Sequence, residues 1–261
     1  MREAAEGHEM KPPILEVRKL SKAFGGLKVT NDVSFSILEG ELSSIIGPNG
    51  AGKTTLFNLI TGKLVPDSGE VLFRGERIDG LPTAEIARKG IGRAFQITSI
   101  FKERTALENV LVAVLSRTGR AGRLFRRSTS YPDVMRESME ILAMLSLADK
   151  AHEKAGALPH GDQKRLDIAV ALSLHPELVM LDEPMAGMSP EERAETVELI
   201  RKIWKEKSLT LVFIEHDMDV VFLISERIRV LNQGLLLAEG TPDEISRNRD
   251  VITAYLGEEI E

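Results

Sequence analysis

Two short segments carry residues whose types and spacing suit phosphate chemistry. The first is Gly47-Pro48-Asn49-Gly50-Ala51-Gly52-Lys53-Thr54, with Thr55 directly after it. It fits the pattern of a glycine-rich phosphate loop, G-x-x-x-x-G-K-[ST]. Glycines lack Cβ atoms, so the backbone can wrap closely around phosphates. The loop amides point inward, and a following helix presents the positive end of its dipole. Lys53 can reach β- and γ-phosphate oxygens, and the hydroxyl of Thr54 can ligate Mg²⁺. The second segment is Leu178-Val179-Met180-Leu181-Asp182-Glu183. Four apolar residues bury a strand and deliver two carboxylates at its end. Asp182 suits holding Mg²⁺ through water. Glu183 suits polarising an attacking water as a general base, a role that contributes about 10²–10⁴-fold in rate. Alone, such a pair is more often a solvated acidic turn. The phosphate loop upstream supplies the chemistry it would serve.

These residues need strands and helices to aim them. Leu42 to Ile46 reads as a strand running into the glycine-rich loop, and Leu56 to Ile60 as the helix beyond it. Further strands are expected at Ile14–Val17, Val33–Leu38, Glu70–Phe73, Leu178–Leu181, Leu209–Ile214 and Arg227–Leu231. A turn at Pro66-Asp67-Ser68-Gly69 precedes the third of these. The middle, roughly residues 98–158, has helical periodicity at Leu107, Val110, Leu111 and Val114, and again from Val134 to Leu147. Strand–helix alternation on both sides implies an α/β sheet core with a helical subdomain inserted in it. The expected division is 1–97 and 159–261 for the core and 98–158 for the helical part, within one domain.

In this order the motifs resemble the ABC transporter ATPase family over nearly the whole chain. That resemblance implies a P-loop NTPase core of RecA-like type with an antiparallel β subdomain and a helical insertion. It implies ATP and Mg²⁺ as ligands. Phe24 lies where the family stacks an aromatic on adenine. Gln96, in Gly-Arg-Ala-Phe-Gln, matches the glutamine that senses Mg²⁺ and the γ-phosphate, and His216, in Ile-Glu-His-Asp, matches the switch histidine. By the same resemblance, the segment from Gln96 to Leu111 faces a permease. The partners implied are integral-membrane permease subunits, a second ATPase subunit and, indirectly, an extracellular solute-binding protein. The implied location is cytoplasmic, peripheral on the inner face of the membrane.

The family's signature, leucine-serine-glycine-glycine-glutamine, corresponds here to Leu158-Pro159-His160-Gly161-Asp162, which keeps only Leu158 and Gly161. Pro159 has neither the hydroxyl nor the amide proton of a serine, although proline suits the first turn of a helix. The remaining donors to a γ-phosphate are the amides of His160 and Gly161 and the His160 imidazole. In the family this segment closes the site of a second subunit. A further departure is Ser189, where the family commonly has aspartate. Together these variants are similar to the ATPases of branched-chain amino acid importers; urea importers and the lipopolysaccharide exporter have near relatives of the same kind.

Composition limits the other readings. The formal net charge is -6 and there are no cysteines among 261 residues, which excludes a disulfide framework and thiolate metal sites and argues against bulk nucleic-acid binding. No apolar run approaches the length of a membrane span, and the charged first thirteen residues do not read as a secretory signal; Met10 is an alternative start. A GTPase would carry an Asn-Lys-x-Asp guanine reader, which is missing. DNA- or ribosome-acting relatives add long coiled coils, zinc modules or a second cassette, and none is seen. Arg117, Arg120, Arg123, Arg126 and Arg127 form a basic stretch that reads as a solvated loop, with anionic lipid or the permease as other occupants.

Overall fold

The computed structural model describes residues 12–94, 100–120 and 131–256. Two sheets organise them. The first is antiparallel, in the order β2-β1-β4-β5, from β1 (Pro13–Phe24), β2 (Leu27–Leu38), β4 (Ser68–Phe73) and β5 (Glu76–Arg77). The second has the order β10-β9-β3-β8-β7-β6, from β3 (Leu42–Ile46), β6 (Ile91–Ala94), β7 (Leu178–Asp182), β8 (Thr210–Ile214), β9 (Arg227–Asn232) and β10 (Leu235–Gly240). Its strands run parallel except β10, which pairs antiparallel with β9.

The central strands are short and apolar because both faces are covered. On β7, Leu178 and Met180 enter one core cluster while Val179 and Leu181 enter the other. On β8, Val212 and Ile214 face the first cluster, and Leu211 and Phe213 face the second. This is the period-2 alternation of a strand, used twice. The first cluster takes Leu56, Phe57, Leu59 and Ile60 of α1 (Lys53–Ile60) together with Leu15, Val17 and Val71 of the antiparallel sheet. The second is built from α3 (Ala106–Arg117), α4 (Pro132–Met144), α5 (His160–Leu172), α6 (Pro190–Lys207) and α7 (Met218–Ile224). Shorter helices complete the chain: α2 (Thr83–Lys89), α8 (Pro242–Ser246) and α9 (Arg249–Leu256). This is the architecture implied by the motifs: a P-loop α/β core with an antiparallel β part and a helical insertion.

Helix ends follow local chemistry. Thr105 caps α3 in a reciprocal box with Glu108, and Pro132 opens α4. Ser189 caps α6 in the same manner. Its hydroxyl accepts from the Glu192 amide at 3.2 Å, and the Glu192 carboxylate accepts from the Ser189 amide at 2.9 Å. Serine and aspartate are near-equal N-caps, so the departure at 189 preserves the helix start. Pro159 stands at the N-cap of α5, one residue before the helical turn begins at His160.

The expected strands are all present, several of them longer than their apolar runs. β1 and β2 extend to twelve residues each as a twisted antiparallel pair with register shifts. The expected strands leave out β5, β6 and β10. The last two are edge strands of the second sheet, and β6 carries a glycine and an arginine that interrupt the apolar pattern. No helix among the described residues is long and apolar enough to cross a membrane. Arg117 bonds the Ser173 carbonyl and pairs with Glu137, and Arg120 pairs with Asp133 beside the Tyr131 ring. The other three arginines of that stretch lie outside the described residues.

Candidate active site

The phosphate loop leaves the buried strand β3 and enters α1 at Lys53. Two of its glycines are demanded by the packing. A Cβ on Gly47 would lie 2.1 Å from the Leu231 carbonyl oxygen, and one on Gly52 would lie 2.3 Å from that of Val29. Both have positive φ, 152° and 99°. Gly50 also has positive φ, with open space where a side chain would stand. Lys53 is buried, and its ammonium donates to the carbonyls of Gly47 at 2.6 Å and Pro48 at 3.0 Å. Burial lowers its pKa from the ordinary lysine value, and the charges of Glu183 and Asp182 oppose that shift. Thr54 is exposed at the mouth of the helix and Thr55 is half-buried. Pro48, Asn49 and Ala51 complete the loop, with Ala51 buried against the first core cluster.

Asp182 ends β7 almost wholly buried. Its Oδ2 accepts from Arg93 at 3.0 Å, while its Oδ1 has no hydrogen-bond partner among the described residues. Burial pushes its pKa above the usual carboxylate range, against the pull of Arg93. Glu183 follows with φ 51°, a left-handed backbone that is uncommon for a side chain of this size. Its amide donates to the Ile214 carbonyl at 3.0 Å, which ties the end of β7 to β8. Its Oε1 lies 2.6 Å from His216 Nε2. His216 is half-exposed, just past β8. The neighbouring Glu215 is buried and accepts from the amides of Met185 and His216 at 3.0 and 3.2 Å. Its carboxylate therefore anchors both the turn after Glu183 and the backbone carrying the histidine.

At the start of α5 the first-turn amides face no side-chain cap. Gly161 is packed so closely that a Cβ would come within 3.0 Å of the Glu192 carboxylate. His160 is exposed, and its Nε2 lies 3.2 Å from the Ala186 carbonyl oxygen. Phe24 ends β1 half-exposed, with the Lys22 ammonium 5.8 Å from its ring. Gln96 lies outside the described residues.

The donor set suits Mg²⁺. It offers a hydroxyl and a carboxylate oxygen that is buried and unbonded, and Mg²⁺ takes one or two carboxylates together with substrate phosphates. A closed cage of three or more acidic, histidine or cysteine ligands would not be expected for it, and none occurs among the described residues. Residue type and spacing do not single out Arg93, Asn58 or Glu215. The available signal for Arg93 was a lone cation inside a short strand, in a motif already singled out for Gln96.

This geometry is that of a nucleotide-binding cassette, and comparison with known proteins agrees. The ABC transporter family model matches residues 30–186, more than half of the chain. A second model, described as a branched-chain amino acid ATP-binding cassette transporter, matches residues 236–261. The chain is 46% identical to the high-affinity branched-chain amino acid transport ATP-binding protein BraF of Pseudomonas aeruginosa, over 95% of this chain and 100% of that one. It is 44% identical to the corresponding LivG of Escherichia coli, with 95% and 100% covered. Among solved structures, the ADP conformation of the cassette MJ1267 matches with a TM-score of 0.82 at 32% identity, covering 95% of this chain and 100% of that one. The dimeric post-hydrolysis cassette MJ0796, bound to ADP and Pi, matches with a TM-score of 0.75 at 28% identity, covering 87% and 98%. The chain belongs to the ABC transporter family. It is a nucleotide-binding subunit of the kind that hydrolyses ATP to power transport.

Proposed function

We propose that this chain energises the import of branched-chain amino acids. It sits on the inner face of a membrane against integral-membrane permease subunits and works with a second ATPase subunit. An extracellular solute-binding protein delivers the cargo to the permease. Support for the cargo comes from the full-length similarity to BraF and LivG and from the second family match at residues 236–261.

The observation that carries the catalytic reading is the contact between Glu183 and His216 at the end of the two strands beside the phosphate loop. Gly47, Pro48, Asn49, Gly50, Ala51 and Gly52 line the triphosphate with backbone, and Thr54 and Thr55 face it from α1. Lys53 offsets the charge of the β- and γ-phosphates. Glu183 takes the proton of the attacking water. His216, bonded to one Glu183 oxygen, holds that carboxylate in one orientation. Thr54, Asp182 and Gln96 would hold Mg²⁺, which would supply positive charge to offset that of the phosphates. The Phe24 ring stacks on the base. The amides of His160 and Gly161 close the site of the partner subunit, where the N-terminus of α5 meets the γ-phosphate.

Reconstitution tests the reading. The purified chain, combined with its permease, companion ATPase and solute-binding protein in vesicles, should drive ATP-dependent leucine, isoleucine and valine uptake. Uptake of urea in place of these amino acids would refute the cargo assignment.

A further inference from the structure

Arg93 is a buried and heavily engaged residue that the catalytic reading leaves without a task. Its side chain is 6% exposed, and that of Asp182 is 1% exposed. One terminal nitrogen donates to Asp182 Oδ2 at 3.0 Å. The other donates to Asn58 Oδ1 at 2.8 Å and Thr61 Oγ1 at 2.9 Å. The guanidinium carbon lies 5.7 Å from the centre of the Phe57 ring. Three parts of the site therefore meet on one planar cation. Asn58, Phe57 and Thr61 belong to α1 and its C-cap, the helix that begins at Lys53 and carries Thr54. Asp182 ends β7. Arg93 itself sits on β6, paired in register with Met180 of β7, three residues before Gln96.

We propose that Arg93 is a positioning residue that turns the Asp182 carboxylate so that its free oxygen, Oδ1, is presented to Mg²⁺. The inference rests on the reading of Asp182 as the metal-holding carboxylate. Its physical content is a division of labour between two oxygens. A carboxylate buried at the end of a strand can rotate about its last bond, and either oxygen can then face the metal position. The guanidinium fork captures Oδ2. The other terminal nitrogen binds Asn58 and Thr61 of α1 and its C-cap, so the guanidinium is fixed relative to the helix that carries Thr54. Partners that orient a ligating carboxylate typically matter by about 10–100-fold in metal affinity. A competing effect has the opposite sign. Removing a positive charge next to the site favours a dication. The direction of change in the Mg²⁺ requirement therefore decides which effect rules.

The test uses the full chain and a fluorescent N-methylanthraniloyl-ATP, with binding followed first in EDTA and then as Mg²⁺ is added. Arg93→Met should bind the nucleotide in EDTA within about threefold of the parent. Its half-saturating Mg²⁺ should rise by roughly 10–100-fold. Arg93→Lys keeps the charge but loses the fork; it should fold even if the methionine variant does not, and should still need several-fold more Mg²⁺. Adding Arg93→Met to Asp182→Asn should change the Mg²⁺ requirement no further, because both act on one oxygen pair. An unchanged or lower Mg²⁺ requirement in Arg93→Lys and Arg93→Met overturns the inference. So does an equal loss of binding with and without Mg²⁺, which would mark a structural role. If Asp182→Asn itself leaves the Mg²⁺ requirement unchanged, the metal assignment falls and the inference falls with it.

Discussion

Glu183 Oε1 and His216 Nε2 lie 2.6 Å apart, bridging the ends of β7 and β8. Neither residue is held by this contact alone. The Glu183 amide bonds Ile214, and Glu215 receives the amides of Met185 and His216. The pair thus stands on a frame of backbone bonds between adjacent parallel strands. Glu183 needs that frame because its own backbone is left-handed, a conformation with a cost of order 1–3 kcal/mol for a non-glycine residue.

Lys53 donates to two loop carbonyls and is the one cation of the phosphate loop. Charge-assisted hydrogen bonds are worth about 1.5–3 kcal/mol each. Lys53→Ala should therefore weaken ATP binding by roughly 10–100-fold or more and abolish hydrolysis. Equilibrium titration with ATP measures the first effect, and phosphate release the second. Normal turnover in this variant would remove Lys53 from the site.

Gly47 of the phosphate loop and Gly26 of the turn between β1 and β2 differ in what they tolerate. Gly47→Ala drives a Cβ into the Leu231 carbonyl oxygen at positive φ and should lower the thermal midpoint clearly, by a cost of about 2 kcal/mol or more. Gly26 has open space and no positive φ, so Gly26→Ala should stay within roughly 0.5 kcal/mol. Thermal melts of the two variants side by side would expose an error if they shifted equally.

Ser189 stands where the resemblance to the wider ABC transporter ATPase family implies an aspartate, and its cap geometry suits either residue. Ser189→Asp should leave stability nearly unchanged, whereas Ser189→Ala should cost about 1 kcal/mol. Urea unfolding midpoints check both. A loss on Ser189→Asp as large as that on Ser189→Ala would contradict the capping role.

Much of this arrangement was legible in the residues themselves. Residue type and spacing single out the Gly47–Thr54 loop and the Asp182-Glu183 pair, and strand β3 matches the run from Leu42 to Ile46. The limits are equally physical. β6 is short, holds a glycine and an arginine, and is a strand because β7 lies beside it, a pairing that periodicity does not encode. Glu215 reads as one more acid in Ile-Glu-His-Asp until burial and two backbone donors reveal it as an anchor. His160, expected to offer its imidazole to a phosphate, has the Ala186 carbonyl oxygen at hydrogen-bond distance within its own chain.

Tyr255 of α9 packs against the second core cluster, and burial pushes its phenol up to about 12, with the backbone of Gly47 opposing the shift. The neutral phenol is the form that the fold favours. Its contribution to stability is complete below the unfolded value near 10 and is lost as pH rises from there through about 12. Absorbance titration near 295 nm should show a tyrosinate step around pH 12 that is missing in Tyr255→Phe. A parent titrating entirely near pH 10 would show that the ring is solvated.

The most direct test of the account is single-turnover hydrolysis of bound Mg-ATP by the Glu183→Gln variant. Glutamine keeps the shape of the side chain and removes the base. This variant should retain Mg-ATP with an affinity near that of the parent and cleave it at least about 10²-fold more slowly. Cleavage at the parent rate, with ATP bound normally, would contradict the assignment of Glu183 as the group that takes the proton from water.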